Sequence, residues 1–104
     1  MFKSAGGNVT TFNLTGLDKW NVSKVQNMSY MFQMAGFNSE TFKVDLSKWD
    51  VSNVQDMSYM FENAGYSSTT FRLNCSSWDV GKVTVYKNFN SGAESKVTPP
   101  KWVD

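Results

Sequence analysis

Leu46-Ser47-Lys48-Trp49-Asp50-Val51-Ser52-Asn53-Val54-Gln55-Asp56-Met57-Ser58-Tyr59-Met60-Phe61 decides the fold, because the chain has already written it once as Leu17-Asp18-Lys19-Trp20-Asn21-Val22-Ser23-Lys24-Val25-Gln26-Asn27-Met28-Ser29-Tyr30-Met31-Phe32. Carried outward, the correspondence fills a whole unit: residues 17–45 and 46–74 agree at 17 of 29 positions. Most differences are mild, such as Asn27 against Asp56, Gln33 against Glu62 and Lys43 against Arg72. Trp20, Trp49 and Trp78 fall 29 residues apart. A fixed period of this length is the signature of stacked repeat units that share one core. The expected fold is an α/β repeat solenoid of about three repeats, with short parallel strands and short helices or 3-10 turns. The expected partition is a half unit at 1–16, repeats at 17–45 and 46–74, and a degenerate C-terminal repeat and cap at 75–104.

Within a unit, Phe42-Lys43-Val44-Asp45-Leu46 alternates apolar and polar residues, the period of a strand with one buried face. Phe12-Asn13-Leu14 and Phe71-Arg72-Leu73-Asn74-Cys75 repeat the pattern, which predicts strands near 11–14, 42–46 and 71–75 in one parallel sheet. Trp49 follows Leu46 by three residues, on the wrong parity for a continuing strand, so a turn must bring the indole back inward. Ser23-Lys24-Val25-Gln26 and Ser52-Asn53-Val54-Gln55 match a capping box, which predicts a helical turn or short helix. Val54, Met57, Phe61 and Ala64 would share one face of it, and Gly36 and Gly65 sit where the chain leaves it in a left-handed conformation. The predicted core is Trp20, Trp49, Trp78, Met28, Met57, Phe32 and Phe61. Met31 and Met60 fall at its margin, and the thioethers read as packing against the aromatic rings rather than as soft-metal ligands.

A chain of 104 residues with 40% hydrophobic and 15% aromatic residues has the material for one continuous core. Its formal charge of +1, with no concentrated run of Lys or Arg, disfavours nucleic acid and anionic membranes as partners. No apolar run suits direct membrane insertion. The chain contains no His, and its one cysteine, Cys75, takes the place of Leu17 and Leu46 and reads as a buried apolar residue rather than a nucleophile. Without a phosphate loop or nucleophile elbow, no enzymatic role and no cofactor or metal is expected. Asp45, Asp50, Asp56 and Asp79 read as turn residues. The five Asn-x-Ser/Thr triplets starting at Asn8, Asn13, Asn21, Asn27 and Asn74 follow from an Asn-, Ser- and Thr-rich composition.

Val44-x-Leu46-x-x-Trp49-x-Val51 has the spacing of the leucine-rich-repeat core, with Trp in place of the usual Asn. Together with Val54, Met57, Ser58, Met60 and Phe61, it resembles the BspA-like leucine-rich repeats of bacterial surface proteins, and it is similar to repeats of Mycoplasma surface lipoproteins. The resemblance runs from residue 1 to about residue 90. It implies an extracellular or cell-surface location and a role in adhesion, protein or glycan binding, or simply as a stalk. It carries over no catalytic residue. The first unit departs from the pattern by one extra residue, Leu14-Thr15-Gly16-Leu17 standing for Val44-Asp45-Leu46. At the other end Gly81 replaces the capping Ser, and Pro99-Pro100 cannot continue a ladder.

Two sets of recurring positions are not needed for the core. In a solenoid, Asn13, Lys43, Asp45, Arg72 and Asn74 form the outward row of the strands, where Lys43 and Arg72 bring like charges one strand apart. Tyr30 and Tyr59 would stack on the outer surface, as rings suited to a glycan or an aromatic anchor. These seven residues are the candidate binding face, toward a protein or glycan on another surface. The alternative function is a structural spacer, or a virion or appendage component without a ligand. Met1-Phe2-x-x-Ala5-Gly6 repeats Met31-Phe32-x-x-Ala35-Gly36, so the chain opens inside a unit, and self-association or docking on further repeats through that edge is expected.

Overall fold

The computed structural model of the chain describes residues 11–102. The expectation of association through residues 1–10 lies outside them. Among the described residues, four short strands form: β1 (Thr11–Leu14), β2 (Thr41–Val44), β3 (Leu73–Asn74) and β4 (Val97–Thr98). β1 pairs with β2 in parallel, with Asn13 opposite Lys43. The offset is 30 residues rather than 29, and the extra residue is absorbed at Gly16, whose left-handed φ of 85° opens a 3-10 turn at Leu17–Lys19.

β3 does not extend that sheet. It pairs in parallel with β4 instead, giving two two-stranded sheets where one was expected. The cause is local. At Phe71, where β2's ladder would continue, the N–H donates to Ser68 Oγ at 3.1 Å and the carbonyl accepts from Arg72 Nη1 at 2.7 Å. Both backbone groups are satisfied by neighbouring side chains, so neither is left to pair across. β4 stops at Thr98, immediately before Pro99-Pro100, which have no N–H to donate.

Where short helices or 3-10 turns were expected, no α-helix forms, and among the described residues the 3-10 turn at Leu17–Lys19 is the sole helical element. In its place run three segments of overlapping turns, 28–37, 57–66 and 86–93, lying side by side. Alternate N–H groups, those of Met31, Gln33, Ala35 and Phe37, donate three residues back within their own segment. Those between, of Met28, Tyr30, Phe32 and Met34, donate across to the carbonyls of Asp56, Ser58, Met60 and Glu62 at 2.8–3.0 Å. Met57, Tyr59, Phe61 and Asn63 then donate to Val85, Lys87, Phe89 and Ser91. An α-helix would have turned all of these donors inward on itself. Bonding the units together requires positive φ at Tyr30, Met34, Tyr59, Asn63 and Asn88, each strained by roughly 1–2 kcal/mol. The cross-unit bonds give these donors partners and offset that strain.

The capping boxes are replaced as well. Ser52 does not cap; it donates, through its N–H at 3.0 Å and its hydroxyl at 2.6 Å, to Asp50 Oδ1. The same two-residue turn recurs at Asn21/Ser23, Asn27/Ser29, Asp45/Ser47 and Asp56/Ser58. Asn21, Asn27 and Asn74 therefore recur before Ser because their side-chain oxygens close turns.

Apolar side chains stack unit upon unit. Phe32 and Phe61 lie parallel at 5.3 Å, as do Phe12 and Phe42 at 5.7 Å, while Phe42 and Phe71 meet at 4.6 Å with their planes tilted by 48°. Met28, Met57, Phe32, Phe61, Trp49 and Trp78 are buried, as are Met31 and Met60, which were expected at the margin. Trp49 anchors its unit with Nε1–H donating to the Leu17 carbonyl at 2.7 Å. Trp20, expected in the core, is 42% exposed. Trp49 and Trp78 are each flanked by a phenylalanine of the preceding unit, Phe32 and Phe61, whereas Trp20's counterpart, Phe2, lies outside the described residues. Gly36 and Gly65 hold φ near +60° beneath these rings; a Cβ on Gly65 would land 2.5 Å from Phe71. Beyond the last turn segment, Trp102 stacks on Tyr86 at 4.2 Å and meets Phe89 edge-on.

Candidate functional site

The two-residue strand rule puts Phe42 in the core and Lys43 outside, and the parallel register sets Asn13 beside Lys43. Arg72 follows one unit later. A groove of about 640 Å³ runs across the ends of β1 and β2 and the segment at 70–72, next to the break in the ladder. Asn13, Lys43, Asp45 and Arg72 line it, together with Gly16, Thr70 and the buried Phe42 and Phe71. Four of the five expected strand-row residues are thus brought together. Asn74 is not among them; it is exposed on β3, and its Oδ1 accepts from the Ser76 N–H at 2.9 Å.

Charge in this groove is unbalanced toward the positive. Asp45 is its one carboxylate, and that group is already engaged: the Ser47 N–H at 2.9 Å and the Ser47 hydroxyl at 2.7 Å both bond to Oδ1. Those bonds, the backbone one foremost, with a smaller contribution from Lys48, hold the Asp45 carboxyl below its usual range. Asp50 is lowered in the same way by the Ser52 hydroxyl and N–H.

Tyr30 and Tyr59 do form an outward ladder, with ring centroids 4.9 Å apart and planes within 5°. Both residues are left-handed, which is what turns their side chains out of the turn segments. Stacking covers the faces the two rings share, so the pair offers edges and hydroxyls rather than a double platform. The ladder ends at position 88, where the equivalent residue is Asn88. A second ladder that sequence reading missed pairs Phe37 with Tyr66 at 4.9 Å, and Lys96 Nζ sits 5.7 Å from the Tyr66 centroid. Its signal in the sequence is the Phe37/Tyr66 correspondence, 29 residues apart.

Cys75 is fully buried, and burial pushes its thiol up to about 12, far from a reactive thiolate at neutral pH. Among the described residues, no three His, Cys, Asp or Glu side chains gather where a metal could sit. No helix among them is long and apolar enough to cross a membrane.

Parallel units joined by bonds between residues 28 to 30 positions apart define a repeat protein. The chain belongs to the family described as "Mycoplasma protein of unknown function, DUF285", whose model matches residues 1–102. Neither curated proteins nor solved structures give a match.

Proposed function

We propose that the chain is a non-enzymatic extracellular repeat module, a BspA-like leucine-rich-repeat solenoid of parallel strands and turns, that serves adhesion by binding a protein or glycan on another surface. The observation that carries this reading is the groove. Asn13, Lys43 and Arg72 converge on it without being required by the core, and the ladder is interrupted there at the expense of a continuous sheet. A spacer without a ligand gains nothing from that interruption.

The test is saturable binding of the fluorescently labelled protein to cultured epithelial cells, with Lys43→Glu/Arg72→Glu as the groove variant. Saturable binding that weakens severalfold in the variant supports the module. Binding that never saturates, or that ignores the variant, favours the spacer.

A further inference from the structure

The tyrosine ladder stops one rung before the stack of turn segments does. Tyr30, Tyr59 and Asn88 are equivalent positions of the repeat, and the backbone treats all three alike. Each is left-handed, with φ of 61°, 59° and 56°. Each carbonyl accepts from the N–H three residues on, that of Gln33, Glu62 and Ser91. The N–H of Tyr30 donates to the Ser58 carbonyl at 3.0 Å and that of Tyr59 to the Lys87 carbonyl at 2.9 Å, so the step between the first two segments is repeated between the second and third. Asn88 therefore sends its side chain out where a third tyrosine would stand.

The shorter side chain leaves room. Tyr30 covers one face of the Tyr59 ring, with centroids 4.9 Å apart and planes within 5°. The pair offers no double platform, but the far face of Tyr59 looks along the stack toward Asn88, which has no ring to close it. Tyr59 is half-buried and Asn88 is exposed. The result is a slot one ring thick, walled by an aromatic face and floored by a primary amide with two donor hydrogens and an acceptor oxygen. Asn53 and Asn90 commit their amide hydrogens to backbone carbonyls, those of Ser23 and Val97. The Asn88 amide makes no such bond among the described residues.

Shape and polarity select the occupant. The face of a tyrosine ring is negative and attracts the weakly positive C–H bonds of a ring laid flat on it. The amide beside that face suits a ring whose rim carries groups that both donate and accept. The row of Tyr30, Tyr59 and Asn88 carries no charge, so it offers nothing to an acidic ligand. A neutral pyranose meets all of these conditions, with C–H bonds on its faces and hydroxyls at its rim. An aromatic side chain would use the ring and ignore the amide.

We infer that the far face of Tyr59, with Asn88 beneath it, is a binding site for a neutral pyranose. It lies on the turn side, away from the groove, and does not depend on it.

The experiment is an NMR titration of the isotopically labelled protein with methyl β-D-glucopyranoside, whose ring hydroxyls are all equatorial, so that both faces present C–H bonds. N-acetyltryptophanamide and adenosine are titrated in parallel. The sugar is expected to bind with a dissociation constant on the order of 1 mM, as suits so small a ligand, and to shift the amides of Tyr59, Lys87 and Asn88 most. Tyr59→Ala should weaken it at least ~5-fold through loss of the stacking face. Asn88→Ala should weaken it by roughly 3- to 10-fold through loss of the amide's hydrogen bonds. Tyr59→Phe keeps the face and should bind within ~2-fold of the parent. Asn88→Tyr completes the ladder at a backbone angle that Tyr59 already holds, so the protein should stay folded while sugar binding is lost. The groove variant Lys43→Glu/Arg72→Glu should bind the sugar as the parent does. An Asn88→Tyr protein that still binds, tighter binding of the indole or of adenosine than of the sugar, equal loss in the groove variant, or no binding of the sugar would each overturn the inference.

Discussion

The two sides of each unit solve the same stacking problem differently. On the turn side, segments 28–37, 57–66 and 86–93 are joined by an unbroken series of cross-unit hydrogen bonds, with phenylalanine and methionine side chains packed beneath them. On the strand side, the ladder breaks between β2 and β3, and charged side chains line the gap. The turn side accepts left-handed strain at five non-glycine residues to keep its ladder whole. The strand side gives up ladder bonds at Phe71 and keeps a row of cations. Stability is concentrated in the one and surface chemistry in the other, and substitutions should divide accordingly.

The largest effect is expected where the two sides meet. Trp49 is buried against Phe32 and bonded to the Leu17 carbonyl, so Trp49→Ala should cost about 3–5 kcal/mol in denaturant unfolding, from the cavity and the carbonyl left without its donor. Trp20→Ala, at an indole that is 42% exposed, should cost less than about 2 kcal/mol. Equal costs would mean that the exposed tryptophan is as much a part of the stack as the buried one.

Next comes a glycine pair that separates ring collision from backbone strain. Gly65→Ala on the turn side places a methyl 2.5 Å from Phe71 at φ +59° and should cost about 2–3 kcal/mol. Gly16→Ala beside the groove has φ +85° but open space around the new methyl, so strain alone, about 1 kcal/mol, is expected. Thermal or denaturant unfolding of the two variants gives the difference. A Gly16 variant costing as much as the Gly65 variant would show that the groove wall is as tightly determined as the core.

The period, the parallel pairing of β1 with β2, the outward placement of Asn13, Lys43 and Arg72, and the buried place of Cys75 were all legible, because each depends on identity or parity along a few residues. The turn segments were not. Val54, Met57, Phe61 and Ala64 are all buried, as a helix face would require, but overlapping turns whose alternate donors face the next unit give the same spacing. Positive φ at Tyr59 and Asn63, and the N–H groups of Met57, Tyr59, Phe61 and Asn63 donating to the next unit, distinguish the two, and neither has a signature in apolar spacing. Ser52 was misread for a related reason: a serine that could cap a helix is equally a donor to an Asp two residues back, and only the absence of a helix chooses between them. The groove depends on Ser68 and Arg72 capturing the backbone of Phe71, a contact with no sequence pattern of its own.

A smaller effect belongs to pH. Asp45 and Asp50 titrate below their unfolded value of about 3.9 because serine donors favour the carboxylate. Their contribution to stability is complete above that value and disappears as pH falls through the lowered folded values. The denaturant midpoint should stay flat from neutrality to about pH 5 and decline below about pH 4. Asp50→Asn keeps the turn acceptor and removes the titration, so the acid decline should be shallower. An unchanged decline would assign it to other carboxylates.

The smallest effect is also the sharpest test of the division between the two sides. In the free protein Lys43 and Arg72 share one groove with a single carboxylate, Asp45, so one positive charge there is left without a counter-charge. Lys43→Glu puts a carboxylate into the groove beside Arg72, and an exposed pair of opposite charges there is worth at most about 1 kcal/mol. The variant should be as stable as the parent or more stable by up to about 0.5 kcal/mol. The gain should fade at 1 M salt, where the screening length shrinks to about 3 Å. A loss above about 1 kcal/mol would make Lys43 a structural residue and erase the contrast between the sides. A gain in stability together with weaker binding to an acidic probe would be the expected signature of a surface kept positive for its partner and not for its fold.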